Sequence, residues 1–418
     1  MKKILALVLS LAMVFTCTAV LTACGGSEGG EGGEGDSGAI KAGFICLHDE
    51  NSTYDLNFIN AAKEACEELG IEPQIKTNIP EGQECYDAAA ELVDAGCGII
   101  FADSFGHEDY MIQAAKEFPE VQFCHATGTK AHTENLPNYH NAFASIYEGR
   151  YLAGVAAGLK LNEMIENGDI TADQAQIGYV GAFTYAEVIS GYTSFFLGAR
   201  SICPTATMKV TFTGSWYDET AEKEGANKLI EDGCVLISQH ADSMGAPTAC
   251  EKAGVPDVSY NGSTVDACPN TFIVSSRINW APYYVDAIQK AAAGETIDTD
   301  WTGTLATDSV QLTEVNDKAA AADTQAKLDE VKAQLESGEI SVYDTKNFTV
   351  TVSDKANQNA KTDADGHVTS YMADVDTDEA YKGDTEVIED GVFQESKFRS
   401  APYFDLQIDG IELLDTSF

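Results

Sequence analysis

The chain has 418 residues, 44% of them hydrophobic, which is enough for two or three domains each with its own core. Its 67 acidic and 25 basic residues give a formal charge of −42 at pH 7. Phosphate contacts need clustered Lys and Arg, and no basic run follows the first three residues, so nucleic acid is excluded as a partner.

Lys2 and Lys3 precede an apolar run from Ile4 to Val20, and Leu21-Thr22-Ala23-Cys24 follows. A basic start, an apolar middle and small residues before a cut site describe a secretory signal peptide over 1–23. A retained transmembrane helix has the length to compete, but the small residues and the cysteine sit where a peptidase reads. The Leu-Thr-Ala-Cys ending resembles the lipobox of bacterial lipoproteins. That resemblance implies a lipid on Cys24 and a protein tethered to the outer face of the cell membrane, since two acyl chains anchor stably. The string GGSEGGEGGEGDSG that completes 24–38 can bury nothing and reads as a flexible spacer.

Strand and helix then alternate without hairpin signals. AIKAGFICL reads as a strand, NFINAAKEACEELG as a helix, IEPQIKTN as a strand and CYDAAAELVDAG as a helix; GIIFADS, EDYMIQAAKEF and EVQFCHATG continue as strand, helix, strand. The alternation restarts with FASIYEGRYLAGVAAGLKL as a helix, QIGYVGAF as a strand, EVISGYTSFFLGARSI as a helix and TMKVTFTGSW as a strand. TAEKEGANKLIEDG is a helix, VLISQHA, PDVSYNG and FIVSSRIN are strands, APYYVDAIQKAAAG is a helix and WTGTLATDSVQL is a strand. This pattern predicts an α/β fold of two doubly wound parallel-sheet lobes joined at a hinge. Lobe 1 is expected over 39–142 with a return near 281–296, and lobe 2 over 143–279 with 297–418 largely returning to it. In the tail, NFTVTVSDKANQ and YFDLQIDGIELL read as strands, and DADVDTDEAYKGDTE as a solvated acidic loop.

In an open parallel sheet a ligand lies outside the carboxyl ends of the strands. Those ends carry HDENSTYD (48–55), ADSFGHE (102–108), HATG (125–128), AFTYAE (182–187), GSWYDE (214–219), QHADSMG (239–245), YNG (260–262) and NW (279–280). They are rich in aromatics, amides and acids. Tyr54, Phe105, Phe183, Trp216 and Trp280 are placed to face one cleft, with Asn51, Asp55, Ser104, His125, Asp242 and Asn261 as polar partners. Aromatic faces beside hydrogen-bonding groups suit a flat polar ring or a sugar better than an aliphatic amino acid.

Setting aside Cys17 in the signal and Cys24 leaves nine cysteines, an odd number. Cys46, Cys66, Cys124 and Cys234 lie within apolar strand or helix patterns and read as small buried hydrophobes. One bridge, such as Cys250 to Cys268, remains open. No CxxC pair offers a zinc ribbon, and no GxSxG, HExxH or GxxxxGK[ST] motif offers an enzyme. His48, His125 and His240, with Asp49 and Asp242 beside two of them, are a conceivable metal set but read better as satisfied polar residues near the cleft. KTDADGHV (361–368) lacks the first Asp and the last Glu of a calcium loop and reads as a polar turn. No metal and no cofactor are expected.

Four stretches, YEGRYLAGVAAG (147–158), IGYVGAF with FFLGAR (177–200), WYDETAEKEGANKLIEDGCVLISQHADS (216–243) and INWAPYYVDAIQKAAAGE (278–295), resemble the basic membrane protein family of ABC-transporter substrate-binding lipoproteins. The resemblance implies the periplasmic-binding-protein type I fold, a small-molecule ligand of purine nucleoside or nucleobase type, and ABC permease subunits as partners. It matches Tyr54 to a stacking aromatic and Asp242 to an Asp that accepts from a ring N–H or ribose hydroxyl. It also places Asp55 where the family usually has Asn, exchanging a donor and acceptor for a pure acceptor. The same fold serves sensing receptors and sugar binders, which stay open as alternatives.

Overall fold

A computed structural model describes residues 40–375, 385–414 and 417. The expected signal segment, Cys24, the spacer through 38 and the middle of the acidic run lie outside the described residues. The chain opens with β1 (Lys41–Ile45), α1 (Thr53–Leu69), β2 (Gln74–Lys76), α2 (Gln83–Asp94), β3 (Cys97–Ala102), α3 (Glu108–Glu117), β4 (Gln122–Ala126), α4 (Ala131–Glu134) and β5 (Tyr139–Ala144). The second run is α5 (Ile146–Asn167), β6 (Gln176–Gly181), α6 (Ala186–Ile202), β7 (Thr207–Phe212), α7 (Glu219–Glu231), β8 (Leu236–His240), α8 (Gly245–Ala253), β9 (Asp257–Tyr260) and β10 (Phe272–Ile278). Then come α9 (Ala281–Ala293), β11 (Asp300–Gly303), β12 (Val310–Leu312) and α10 (Thr324–Glu336). The tail adds β13 (Ala360–Thr362), β14 (Val368–Ala373), β15 (Thr385–Glu386), β16 (Ile388–Glu389), β17 (Val392–Phe393) and β18 (Ile411–Leu413).

Two sheets result. The first has the order β11-β5-β4-β3-β1-β2 and every pairing is parallel. The second has the order β12-β10-β9-β8-β6-β7-β18 and is parallel except for β12 at one edge. Helices cover both faces, as parallel strands with apolar residues on both sides require. On the first sheet, Leu92 of α2 and Met111 and Ile112 of α3 pack with Ile100 and Phe123, while Phe58 of α1 and Tyr284 of α9 lie in the apolar cluster of the other face with Phe44 and Phe101. On the second, Leu229 and Ala249 cover Val180 and Ile237. The opposite face is built by α5 and α6, which approach closely because glycines meet backbone: a Cβ on Gly154 would lie 1.9 Å from the Phe195 carbonyl oxygen.

The chain crosses between lobes at Ser145, between β10 and α9, and between β11 and β12. The crossings are tied to one another, since Ser145 N–H donates to the Gly303 carbonyl and Asn279 N–H to that of Ser309, both at 2.8 Å.

The structure corrects some expectations and agrees with others. The stretch from Phe143 is not helical at its start: Tyr139–Ala144 is strand β5, buried throughout, and the helix begins at Ile146. A fully buried strand lacks the alternation that marks one in sequence. WTGTLATDSVQL is not one strand but two, β11 in the first sheet and β12 in the second, so the stretch from 297 begins on lobe 1. NFTVTVSDKANQ contributes a single bridge, Val350 with Ile408, rather than a strand. KTDADGHV forms a turn, with Asp363 accepting from the N–H groups of Asp365 and His367. β18 pairs with β7, which places the last strand on lobe 2. The nine cysteines of the described residues are all buried and unpaired, Cys250 and Cys268 included.

Candidate functional site

The cleft lies where the strand ends of both sheets meet. It is a narrow slot of about 360 Å³, open in part to solvent. Lobe 1 supplies Leu47 and His48 after β1, Tyr54 and Asp55 from the first turn of α1, Ser104 and Phe105 after β3, and Thr127 after β4. Lobe 2 supplies Glu187, Trp216, His240, Asp242 and Tyr260.

The start of α1 fixes the lobe 1 floor. Ser52 caps the helix by accepting from the Asp55 N–H, and its own hydroxyl donates to Asp55 Oδ2 at 2.6 Å. His48 N–H donates to Asp55 Oδ1 at 2.8 Å, and its Nδ1 lies 3.3 Å from Oδ2. Burial works against the Asp55 carboxylate, but the bonds from His48 and Ser52 outweigh it and hold Asp55 below the usual carboxylate range. Asp103 behind it is the reverse case: burial and the Asp55 charge push its carboxyl well above that range. Cys46, Asp55 and Asp103 bring one ligand atom each within 4.8 Å of the others. Burial and the neighbouring carboxylates raise the Cys46 thiol as well, so the cluster disfavours a further negative charge beside Asp55.

On lobe 2, Asp242 is buried, and that burial, with the charges of Asp55, Glu222 and Glu187, raises its carboxyl well above the ordinary value. Asn261, in the left-handed conformation at φ 68°, donates from Nδ2 to Asp242 Oδ1 at 3.3 Å. The lobes touch across the slot. Thr53 donates from N–H and hydroxyl to the Asp242 carbonyl at 3.1 and 3.2 Å, and Asn57 Nδ2 donates to the Asn261 carbonyl at 2.9 Å. At the mouth, Phe105 of lobe 1 meets Tyr185 of lobe 2 with ring centroids 5.4 Å apart.

Of the residues expected from the sequence, Tyr54, Asp55, Ser104, Phe105, Trp216 and Asp242 come together in the slot. Asn261 stands behind Asp242, and Phe183 stands behind Trp216, meeting it edge-on at 5.0 Å while stacking on Tyr185 at 4.9 Å. His125 is buried under the floor, its Nε2 2.7 Å from the Ser104 carbonyl. Asn51 is exposed and donates to Asp49 in a local turn. Trp280 is core: it stacks on Phe58 at 4.6 Å and is 1% exposed. His48, His125 and His240 do not converge on one point; each has its own partner, with His240 Nε2 3.5 Å from Glu187. The expectation had not counted Leu47, His48, Thr127, Glu187, His240 and Tyr260 as ligand-facing. Except for Leu47, which directly precedes one of them, all lie within the strand-end stretches. Glu187 in the first turn of α6 reads in sequence as a complement to the helix dipole rather than as a wall of a cleft.

None of the lining residues is Lys or Arg. The positive charge nearest Tyr260 is Arg150, wholly buried behind it, with its guanidinium 5.1 Å from the ring centre and bonded to Ser259, Ser238 and Tyr179. The slot therefore offers acceptors and aromatic edges to a ligand that brings N–H or O–H donors.

Two parallel sheets with tied crossings and a ligand-sized slot between their strand ends define a bilobal solute-binding protein. The model of the family described as ABC transporter substrate-binding protein PnrA-like matches residues 45–346, and the chain belongs to that family. Membership sets it among solute-binding proteins rather than enzymes. It is 33% identical over 260 residues to a purine-binding protein of Brucella abortus, an alignment covering 61% of this chain and 69% of the relative. It is 34% identical over 242 residues to a putative ABC transporter glucose-binding protein of Haloferax volcanii, covering 56% and 58%. Among solved structures it resembles in fold an ABC transporter solute-binding protein of Aeropyrum pernix (17% identical, TM-score 0.61, 75% and 94% covered). A solute-binding protein of Conexibacter woesei is similar in the same way (21% identical, TM-score 0.59, 72% and 98% covered). These neighbours have the two-lobed fold expected of periplasmic-binding-protein type I. Among the described residues no helix is long and apolar enough to cross a membrane.

Proposed function

We propose that the protein is a lipid-anchored, extracytoplasmic binding component of an ABC importer that captures a purine nucleoside or nucleobase between its lobes. The observation that carries this reading is the narrow slot, lined by Tyr54, Phe105 and Trp216 and by carboxyl groups, with no lysine or arginine. A slot of this shape favours a flat ring over a globular aliphatic ligand, and aromatic walls stack on such a ring. Asp55 and Glu187 supply acceptors for ring N–H and amino groups, Asp242, whose carboxyl is raised, can both accept and donate, and a slot with no lysine or arginine disfavours a phosphate. The Brucella relative's name agrees with this class. The lipobox at Cys24 supports the anchor, and capture proceeds by hinge closure about the three crossings.

A sugar-like solute is the second reading, favoured by the Haloferax relative and by acceptors that serve hydroxyls equally well. A thermal-shift screen of purines, nucleosides and hexoses separates the two, because a ligand that binds only the folded state raises the midpoint. Stabilisation by a purine or its nucleoside supports the first reading. Stabilisation by hexoses alone replaces it.

A further inference from the structure

The chain beyond residue 346, where the family match ends, is seated on lobe 2. β18 pairs with β7, the Glu395 carboxylate accepts from the Ser190 hydroxyl of α6 at 2.6 Å, and Phe404 stacks on Tyr343 with ring centroids 4.3 Å apart. Between Glu395 and Phe404 this segment sends a loop to the other lobe. Ser400, 1% exposed, donates its N–H to Asp300 Oδ2 at 2.9 Å, and Asp300 opens β11, the edge strand of the lobe 1 sheet.

The loop is braced from within. The Arg399 guanidinium donates to the carbonyls of Val375, Ala401 and Pro402 at 2.9 to 3.1 Å, so the segment around Ser400 is held in one shape. Ala401 and Pro402 then form part of the wall of a chamber beside the slot, whose other walls include Phe105 and Thr129 of lobe 1 and Tyr185 of lobe 2. The place of the anchor matters for motion. Asp300 lies three residues before Gly303, which takes the Ser145 N–H at a crossing, and three residues of strand span about 10 Å. Rotation of the lobes about the crossings therefore carries Asp300 away from a loop that stays with lobe 2.

We infer that residues 399–402 form a strap that fastens the C-terminal segment on lobe 2 to lobe 1, with Asp300 as its anchor, and that this strap restrains the opening of the cleft. The three chain crossings lie within the family match, whereas the strap comes from outside it and adds a fourth, non-covalent link. It acts whatever ligand the slot takes.

The test compares the purified, ligand-free parent protein with Asp300→Ala, which removes the anchor on lobe 1, and Arg399→Ala, which unbraces the loop and leaves lobe 1 untouched. Small-angle scattering reads the opening, and hydrogen exchange reads the tie at the Ser400 amide. Both variants are expected to show a larger radius of gyration than the parent, and the Ser400 amide to exchange about 10-fold faster, as the loss of one hydrogen bond gives. Amides within α1 and α6 should keep their protection, which separates release of the strap from loss of the fold. Should one variant fail to fold, the other decides. Unchanged radii overturn the inference, and so does a wider radius without faster exchange at Ser400. A Ser400 amide that exchanges in the parent as fast as an unprotected one overturns it without any variant.

Discussion

Trp216 and Trp280 both follow strand ends, and sequence alone treats them alike. Trp216 is half-buried in the slot wall, backed by the edge of Phe183. Trp280 closes β10 at a crossing and turns into α1, where Phe58 stacks on it. Their substitutions should therefore separate. Trp216→Ala is expected to weaken purine binding about 5- to 100-fold, the range for losing one base-stacking ring, with little change in thermal midpoint. Trp280→Ala should cost about 3–5 kcal/mol of stability, as a large aromatic removed from a packed core does, measurable by denaturant unfolding. The strand-end rule places a residue near the cleft. It does not say which way the side chain turns, and that is why Tyr54, Asp55 and Asp242 were legible while Trp280 and Asn51 were misplaced.

At the scale of elements, helices with half-buried faces were readable, as α1 was from Asn57 to its terminal Gly70, whereas its first turn from Thr53, capped by Ser52, was read as part of the strand-end loop. β5 was hidden because all six of its residues are buried and no period-2 alternation marks it. The tail was least legible because it packs as short segments against both lobes rather than as a regular unit. Glu395 shows how it is held: its carboxylate accepts from Ser190 of α6 at 2.6 Å, and Tyr343 packs beside it, donating to the Ser190 carbonyl at 2.9 Å. Burial pushes the Glu395 carboxyl up from 4.5 to about 7. Between those values the folded chain keeps a proton that the unfolded chain has lost. The contribution of Glu395 to stability is therefore full below about 4.5, falls as pH rises through the window, and is gone above about 7. Glu395→Gln should remove on the order of 3 kcal/mol of this pH dependence and raise the midpoint at pH 8 relative to the parent, as read by thermal melts across pH 4.5 to 8. Glu222 and Asp257 are raised to about 7 in the same direction, so a residual slope is expected in the variant.

For the whole molecule, the fold class was legible because strand and helix alternate twice, and twice-repeated alternation has few solutions other than two wound sheets. The exclusion of nucleic acid rests on the same scale, on a charge of −42. The contacts between the lobes beside the slot include polar pairs, Thr53 with Asp242, Asn57 with Asn261 and Arg277 with Asn57, and ring pairs, Phe105 with Tyr185 and His48 with Tyr217. Interfaces of this kind open at small cost. Small-angle scattering should therefore show a smaller radius of gyration when a saturating ligand is added than in its absence. An unchanged radius would mean that the closed arrangement is kept without ligand.

The central claim is that a flat purine ring fills the slot between the lobes. Calorimetric titration of the purified protein with adenine, guanine, hypoxanthine and their nucleosides, beside glucose and galactose, tests it most directly. Saturable binding of at least one purine with one site per chain, and none of the hexoses, is the predicted result. Saturable binding of a hexose with no purine response would contradict it.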